Sequence, residues 1–405
     1  MSPAMPNVRV PSDAEIEHLT TRAVAEIIPR EEFIKLLKSG RPLRLKMGFD
    51  PSAPDLTIGH AVGLRKLRAL QELGHTVVVI VGDWTARIGD PSGQSITRPM
   101  LSQEEVEANA ETYLRQFFKI VDRARTEIRP QSEWFDTFTL ETIIRLAAKF
   151  TVAQMLQRED FGGRYREGQP LGVHELLYPL MQAYDSVAVE ADVEFGGTDQ
   201  TFNLLVGREL QQEMGQKPQC VFTVPLLVGT DGKTKMSKSV GNYIALEDPP
   251  NEIFGKVMSL PDDVLMSYLT LVTDVPDEEL RAIEIQLRER KINPMDVKMR
   301  LGREIVGFLY SPAEAVAAQD AFRSVFSEGK VPEDAVEIVV KNDLLEALVS
   351  AGVITSKAEG KRLFAQGAVE RDGEKLVGPD DRINTGDVLR IGKKRFVRIT
   401  HSKPG

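Results

Sequence analysis

The sequence predicts an α/β protein: a doubly wound parallel-sheet body, an α-helical middle region and a small α+β unit at the C-terminal end. Three observations carry that expectation. Thr76–Val81 is an almost pure β-branched run, as a strand covered on both faces requires. Other strand-like runs, at 43–49, 191–195 and 221–228, alternate with helix-like ones, the order that builds parallel sheets. From about Asp248 the pattern turns to amphipathic helix, through 280–287 and 295–309, and the last 65 residues change character again.

In chain order, 43–49 reads as a strand, 60–73 as a helix stopped by Gly74, and Thr76–Val81 as the next strand. The stretch 140–157 reads as helical, with an apolar stripe that suits either a core or an interface between copies. A helix is expected over 174–188. The weaker strand candidate 191–195 leads into Gly196-Gly197 and a helix ending at Gly215, and 221–228 is a further strand. Gly329 to Glu333, with a proline and charges, reads as a linker. In the terminal unit 344–351 is a short helix. Ser356-Lys357-Ala358-Glu359 is a capping box opening a second helix, closed by Gly367. The run 368–371 then meets Asp372-Gly373, a hairpin signal, and two more short strands end in Arg390 and Arg398.

The 405 residues suit two or three domains, and a hydrophobic fraction of 42% supplies a sizeable core. One cysteine, Cys220, excludes an intrachain disulfide framework and points to a reducing compartment. With no apolar leader-like segment and no run near the roughly 18–20 residues of a membrane span, a cytoplasmic protein is expected. The net charge is −9, but from Lys341 onward 13 Lys/Arg stand against 9 Asp/Glu, so the tail carries +4 and the body −13. An acidic body repels nucleic acid at long range, so RNA contact would use local basic patches. Lys357, Lys361 and Arg362 on one helix, and Lys393-Lys394-Arg395 on a late turn, are such a patch.

Three motifs carry chemistry. Lys235-Met236-Ser237-Lys238-Ser239 lies in a Gly/Thr/Lys-rich loop, 229–242, and makes a mobile cationic arm suited to a polyanion held briefly and released. Thr57-Ile58-Gly59-His60 opens a helix just after a strand, where a helix N-terminus can face phosphates. Gly59 there allows close approach of a nucleotide, and His60 can donate to a phosphate or ribose oxygen. On the 174–188 helix Tyr178, Gln182 and Asp185 recur at i, i+4 and i+7, which puts three polar side chains on one face. Such a stripe either faces water or lines a polar pocket.

The Gly-His pair at a strand-to-helix turn, with the distant KMSKS loop, resembles the signature of class I aminoacyl-tRNA synthetases. The phrase from Tyr178 to Asp185, together with Gly48-Phe49-Asp50-Pro51, Gly89-Asp90-Pro91-Ser92-Gly93 and Gly196-Gly197-Thr198-Asp199-Gln200, resembles the tyrosyl-tRNA synthetases. The terminal unit resembles the S4-type RNA-binding module. The resemblance implies a Rossmann-like catalytic domain with an N-terminal helical extension over 1–247, a helical anticodon-recognition domain over 248–330, a linker over 331–340 and an S4-like domain over 341–405. It implies attack of the tyrosine carboxylate on the α-phosphate of ATP, release of pyrophosphate, and transfer of tyrosine to the 3′ end of tRNA(Tyr). The nucleophile is already ionised, so no general base is needed; catalysis is positioning plus charge stabilisation.

The resemblance also implies roles by position. Asp185 would accept the phenol hydroxyl's hydrogen bond. Tyr178, Gln182 and Asp90 would hold the ammonium, with Thr85 nearby, and Asp50 and Gln200 would orient the amino acid or adenylate. Gly197 and Asp199 would bind the ribose. Gly59, His60, Thr57, Ser52, Arg98, Lys235 and Lys238 would meet the phosphates. Lys357, Lys361 and Arg362 would bind RNA. Mg2+ is expected with ATP, without a dedicated protein ligand cluster, and a homodimer is expected. The chain departs from the family pattern at Thr57, where a first His is usual, at Lys46, where many bacterial members carry Tyr, and at Gln94, where a basic residue is common. Tryptophanyl-tRNA synthetase and a non-catalytic S4-type RNA-binding protein stay open as alternatives.

Overall fold

The computed structural model describes residues 8–51, 55–89, 102–326, 336–340, 343–371, 374–381, 383–392 and 395–400. The chain forms two compact units, Met1–Ala315 and Val316–Gly405. In the first, six strands make one sheet: β1 (Glu26–Ile28), β2 (Arg44–Phe49), β3 (Thr76–Val81), β4 (Thr126–Pro130), β5 (Val193–Gly197) and β6 (Cys220–Val224), in the order β1-β6-β5-β2-β3-β4. Only β1 runs antiparallel, against β6. The β-branched residues Val77, Val78, Val79 and Ile80 suit β3 to its place between β2 and β4, with both faces covered. From β2 the chain steps outward to β3 and β4, then returns to β5 on the other side of β2. The order therefore reverses between β2 and β5, the position where such sheets open a crevice beyond their carboxyl ends.

Helix Ile58–Glu72 follows β2 and ends before Gly74, whose φ of +100° turns the chain back into the sheet. Helices Val173–Ala188 and Thr201–Glu213 pack on each other beside β5 and β6. Two expectations are corrected. The strand expected over 221–228 stops at Val224, because Pro225 has no N–H to give the ladder. The expected helix over 140–157 is broken into Leu140–Ala147 and Val152–Met155, with Thr151 and Gln154 forming a capping box that restarts the helix.

Beyond the sheet, helices Pro250–Met258, Leu265–Val272, Asp277–Arg288 and Pro294–Leu309 pack together with Phe254, Leu269 and Leu301 buried, and buried Tyr268 donates its hydroxyl to the Val228 carbonyl at 2.7 Å. The N-terminal segment is tied to this group through Arg22, whose guanidinium donates to the carbonyls of Thr273 (2.7 Å) and Val275 (2.6 Å) just past a helix end. Positive charge there satisfies acceptors the helix leaves open.

The second unit has a five-stranded sheet, ordered β7-β11-β10-β8-β9, from β7 (Val336–Val339), β8 (Val369–Arg371), β9 (Glu374–Lys375), β10 (Val388–Ile391) and β11 (Arg395–Thr400). Leu345, Leu348, Phe364, Leu389 and Val397 form its core with helices Leu344–Ser350 and Lys357–Ala365. Val336–Val339 falls in the 331–340 stretch read as linker, yet pairs in parallel with β11. Gly329 to Glu333 and Asp372-Gly373 lie outside the described residues; the strands flanking the latter pair antiparallel. The capping box is half formed: Ser356 accepts from the Glu359 N–H, while the Glu359 carboxylate reaches back to Thr355.

Candidate active site

The carboxyl ends of β2, β3 and β5 gather most of the residues singled out by the motifs. Asp50 follows β2, and its carboxylate accepts from the Tyr178 hydroxyl at 2.8 Å and the Thr85 hydroxyl at 2.7 Å. The Thr85 backbone N–H donates to Gln131 Oε1 at 2.9 Å. The Gln131 amide donates to Asp185 Oδ2 at 2.9 Å, and the Trp134 indole N–H to Asp185 Oδ1 at 3.2 Å. One hydrogen-bonded chain thus joins Tyr178 and Asp50 at one end to Asp185 at the other. It depends on Gly82: a Cβ there would stand 2.2 Å from Asp50 Oδ1 and 2.5 Å from Thr85 Oγ1.

Asp185 is 2% exposed, and the stripe it shares with Tyr178 and Gln182 is buried or half-buried rather than turned to water. Burial pushes the Asp185 carboxyl up to about 7, against the opposing pull of Lys46 and Gln131. Its two oxygens hold one donor each in this network, which leaves lone pairs for a further hydroxyl. Gln182 does not point its amide at open space; the amide donates to Glu194 Oε1 at 3.2 Å. Gln200 accepts from Asn203 at 2.9 Å.

On the phosphate side, Thr57 caps helix Ile58–Glu72. His60 Nδ1 lies 3.1 Å from the Thr57 N–H and 2.9 Å from its hydroxyl. Nδ1 therefore accepts, which assigns the proton of the neutral ring to Nε2 and leaves it as a donor. Burial lowers the His60 pKa to about 4, with Lys238 and Lys235 adding to the effect. A Cβ on Gly59 would meet no protein atom closer than 3.4 Å, so the protein's own packing does not demand glycine there.

The cationic loop is tied from below. Asn242 donates to Asp231 (3.1 Å), to Thr234 Oγ1 (2.9 Å) and to the Lys235 carbonyl (3.2 Å), and accepts from the Ser237 N–H at 2.8 Å. The Thr234 hydroxyl and nearby backbone N–H groups hold the Asp231 carboxyl well below the usual range. Met236 is buried as the loop's apolar anchor. Lys235 is ion-paired with Asp199, and Lys238 donates to the Tyr113 hydroxyl at 3.2 Å while lying 5.1 Å from that ring's centre. Among the described residues no group of three or more His, Cys, Asp or Glu is arranged to hold a metal ion.

Ser52, Asp90, Arg98 and Gln94 lie outside the described residues. In the second unit Lys361 and Arg362 are exposed, while Lys357 is taken up by Asp343 (2.7 Å) and Glu346 (3.1 Å). Sequence reasoning missed Gln131, Trp134, Glu194 and Tyr113. Gln131 and Trp134 follow directly on β4, a strand end in a sheet of this kind, which was the available signal. Glu194 and Lys46 are opposite charges set in apolar strand runs, each in need of a partner.

Residues 38–327 match the family model described as "tRNA synthetases class I (W and Y)". The chain is 55% identical over 389 residues to a protein of Dehalococcoides mccartyi (strain CBDB1) named tyrosine–tRNA ligase, spanning 95% of this chain and 98% of that one. The Thermotoga maritima protein of the same name is 52% identical over 387 residues, spanning 94% and 96%. A C-terminally truncated mitochondrial tyrosyl-tRNA synthetase of Aspergillus nidulans shares the fold with a TM-score of 0.65 at 22% identity, covering 77% of this chain and 94% of that one. The Archaeoglobus fulgidus tyrosyl-tRNA synthetase, solved with L-tyrosine, has a TM-score of 0.62 at 24% identity, covering 76% and 99%.

Proposed function

Because this chain belongs to the tyrosine–tRNA ligases of the class I tRNA synthetases, we propose that it activates L-tyrosine with ATP to tyrosyl-adenylate, releases pyrophosphate, and transfers tyrosine to tRNA(Tyr). The observation that carries the reading is the hydrogen-bonded chain from Tyr178 through Asp50, Thr85 and Gln131 to Asp185. It supplies acceptors at both ends of a molecule with an ammonium at one end and a hydroxyl at the other. Asp185 takes the phenol hydroxyl. Tyr178 and Asp50, with Thr85, Gln182 and Asp90, take the ammonium, and Gln200 orients the carboxylate side. Asp185 could accept from a phenol O–H or an indole N–H alike, so the preference for tyrosine over tryptophan rests on the tyrosine–tRNA ligases that the chain resembles along nearly its whole length.

ATP enters with Mg2+ as part of the substrate. Gly59 and the His60 Nε2–H face the nucleotide, Gly197 and Asp199 hold the ribose, and Thr57, Ser52, Arg98, Lys235 and Lys238 share the phosphates. Thr57 acts chiefly through its bonds to His60 Nδ1, which fix the tautomer and leave Nε2 donating, while burial and the two loop lysines keep the ring neutral. Charge developing on the leaving pyrophosphate is met by the two loop lysines, so their stabilisation grows toward the transition state.

The tail is the RNA-capturing part, through Lys361 and Arg362, with Lys357 holding the helix start in place. Homodimer formation is supported by helix Leu140–Ala147, where Leu140, Ile143 and Ile144 form an exposed apolar face at i, i+3 and i+4. No helix among the described residues is long and apolar enough to cross a membrane; a cytoplasmic location is part of the proposal. Transfer of labelled tyrosine to tRNA by the purified chain tests the function. Tyrosine-charged tRNA(Tyr) is expected; a chain that binds tRNA without charging it would favour the S4-type binding protein.

A further inference from the structure

The buried ion pair of Lys46 and Glu194 has no place in the reaction described above, yet it sits where the strand order reverses. The two are register partners on β2 and β5, and their side chains are 0% and 1% exposed. The Lys46 ammonium donates to Glu194 Oε1, Ser186 Oγ and the Gln182 carbonyl, each at 2.8 Å. All three of its protons are used, so none remains for a substrate hydroxyl. Glu194 is equally filled: Oε1 also accepts from the Gln182 amide at 3.2 Å, and Oε2 from Ser186 Oγ at 3.1 Å and Gln219 Nε2 at 2.5 Å. Gln182 and Ser186 flank Asp185 on helix Val173–Ala188.

We propose that Lys46 and Glu194 are positioning residues for tyrosine recognition, a charge-neutral clamp that holds the 182–186 turn so that Gln182 and Asp185 present themselves to the substrate. The proposal rests on the reading of Asp185 as the phenol's partner. An apolar pair in the same two strands would pack, but it could not hold a helix carbonyl. Fixing geometry is the best-attested use of a buried pair that by itself adds little stability. The clamp also sets the field at Asp185. The charged groups facing Asp185 are Lys46, Glu194 and Asp50, while Gln131 and Trp134 bring neutral donors. Lys46 favours the ionised carboxylate that accepts the phenol's hydrogen bond; Glu194 and Asp50 oppose it.

The test measures tyrosine-dependent pyrophosphate exchange by the full chain from about pH 5.5 to 9. The variants are Glu194→Gln, Lys46→Met and the doubly neutral Lys46→Met/Glu194→Met. Each single variant is expected to raise the KM for tyrosine about tenfold or more, with the KM for ATP moving less than about threefold. The acid limb of the tyrosine KM profile should move to lower pH in Glu194→Gln, where Lys46 acts unopposed, and to higher pH in Lys46→Met. The double variant carries no unpaired buried charge and should fold, yet should keep a raised tyrosine KM because nothing grips the turn. A pair that serves only stability would leave the double variant with the wild-type tyrosine KM, and that result would overturn the clamp. So would wild-type KM and an unmoved acid limb in Glu194→Gln. A wild-type chain without tyrosine-dependent exchange would instead bring down the underlying reading and the clamp with it.

Discussion

Lys235 is paired with Asp199, so the first cation of the loop rests on the carboxylate proposed to hold the ribose. The second, Lys238, rests on Tyr113. Both cations therefore rest on protein partners, which the proposed phosphate role requires them to leave. If Lys238 acts mainly on the departing pyrophosphate, Lys238→Ala should slow adenylate formation by about 2–4 kcal/mol, near thirty- to a thousandfold. Tyrosine affinity should change little. Pre-steady-state adenylate formation measures both; a variant whose only defect is weaker tyrosine binding would contradict the role.

Asp185, proposed to read the phenol, also carries a stability signature. Its carboxyl lies near 7 in the fold against an ordinary value near 4, because burial disfavours the charge. Between about pH 4 and 7 the unfolded chain has already released this proton and the folded chain has not, so this group's contribution to stability falls as pH rises through that window. Asp185→Asn should flatten that fall in thermal melts at pH 5 and 8, by on the order of 1 kcal/mol or more. The same substitution should cost most of the tyrosine activation and compress discrimination against phenylalanine by about ten- to a hundredfold. Unchanged activation with full rejection of phenylalanine would remove Asp185 from the phenol.

The exposed face of helix Leu140–Ala147 gives the proposed homodimer its test. Leu140→Asp with Ile144→Asp places two charges on a face that is already solvent-exposed within one chain. The fold should survive, and sedimentation should find a monomer in place of a dimer. A dimer that persists would move the interface elsewhere.

The division of labour along the chain can be checked by truncation after about Asp334. Tyrosine-dependent exchange should survive, because the described residues of the adenylate site all precede Asp248. Charging of tRNA should fall sharply. Lys361→Ala with Arg362→Ala should reproduce part of the loss and flatten the salt dependence of tRNA binding by roughly one unit per phosphate contact removed. Lys357→Ala should matter less for RNA, since Asp343 and Glu346 already hold that ammonium. Full charging by the truncated chain would contradict the tail's role.

What could be read before folding was local. Thr76–Val81 was legible residue by residue because only a doubly covered strand tolerates so many β-branched side chains. The spacing of Tyr178, Gln182 and Asp185 placed them on one helix face, since helical periodicity is a local rule. The overrun past Val224 and the missed break at Thr151 came from following hydrophobic pattern past a proline and a capping pair. The partners of Asp185 were not legible in that way. Gln131 and Trp134 come from more than 50 positions earlier, and only the sheet order brings them to Asp185. Lys46 and Glu194 are 148 residues apart, and their match exists only in the β2–β5 register.

The central claim, that the Tyr178–Asp50–Thr85–Gln131–Asp185 chain selects tyrosine for activation by ATP, meets its most direct test in one measurement. Exchange of labelled pyrophosphate into ATP is followed with tyrosine, phenylalanine or tryptophan as the only amino acid. Exchange is expected with tyrosine and at background with the other two. Exchange supported by tryptophan, or by none of the three, would contradict it.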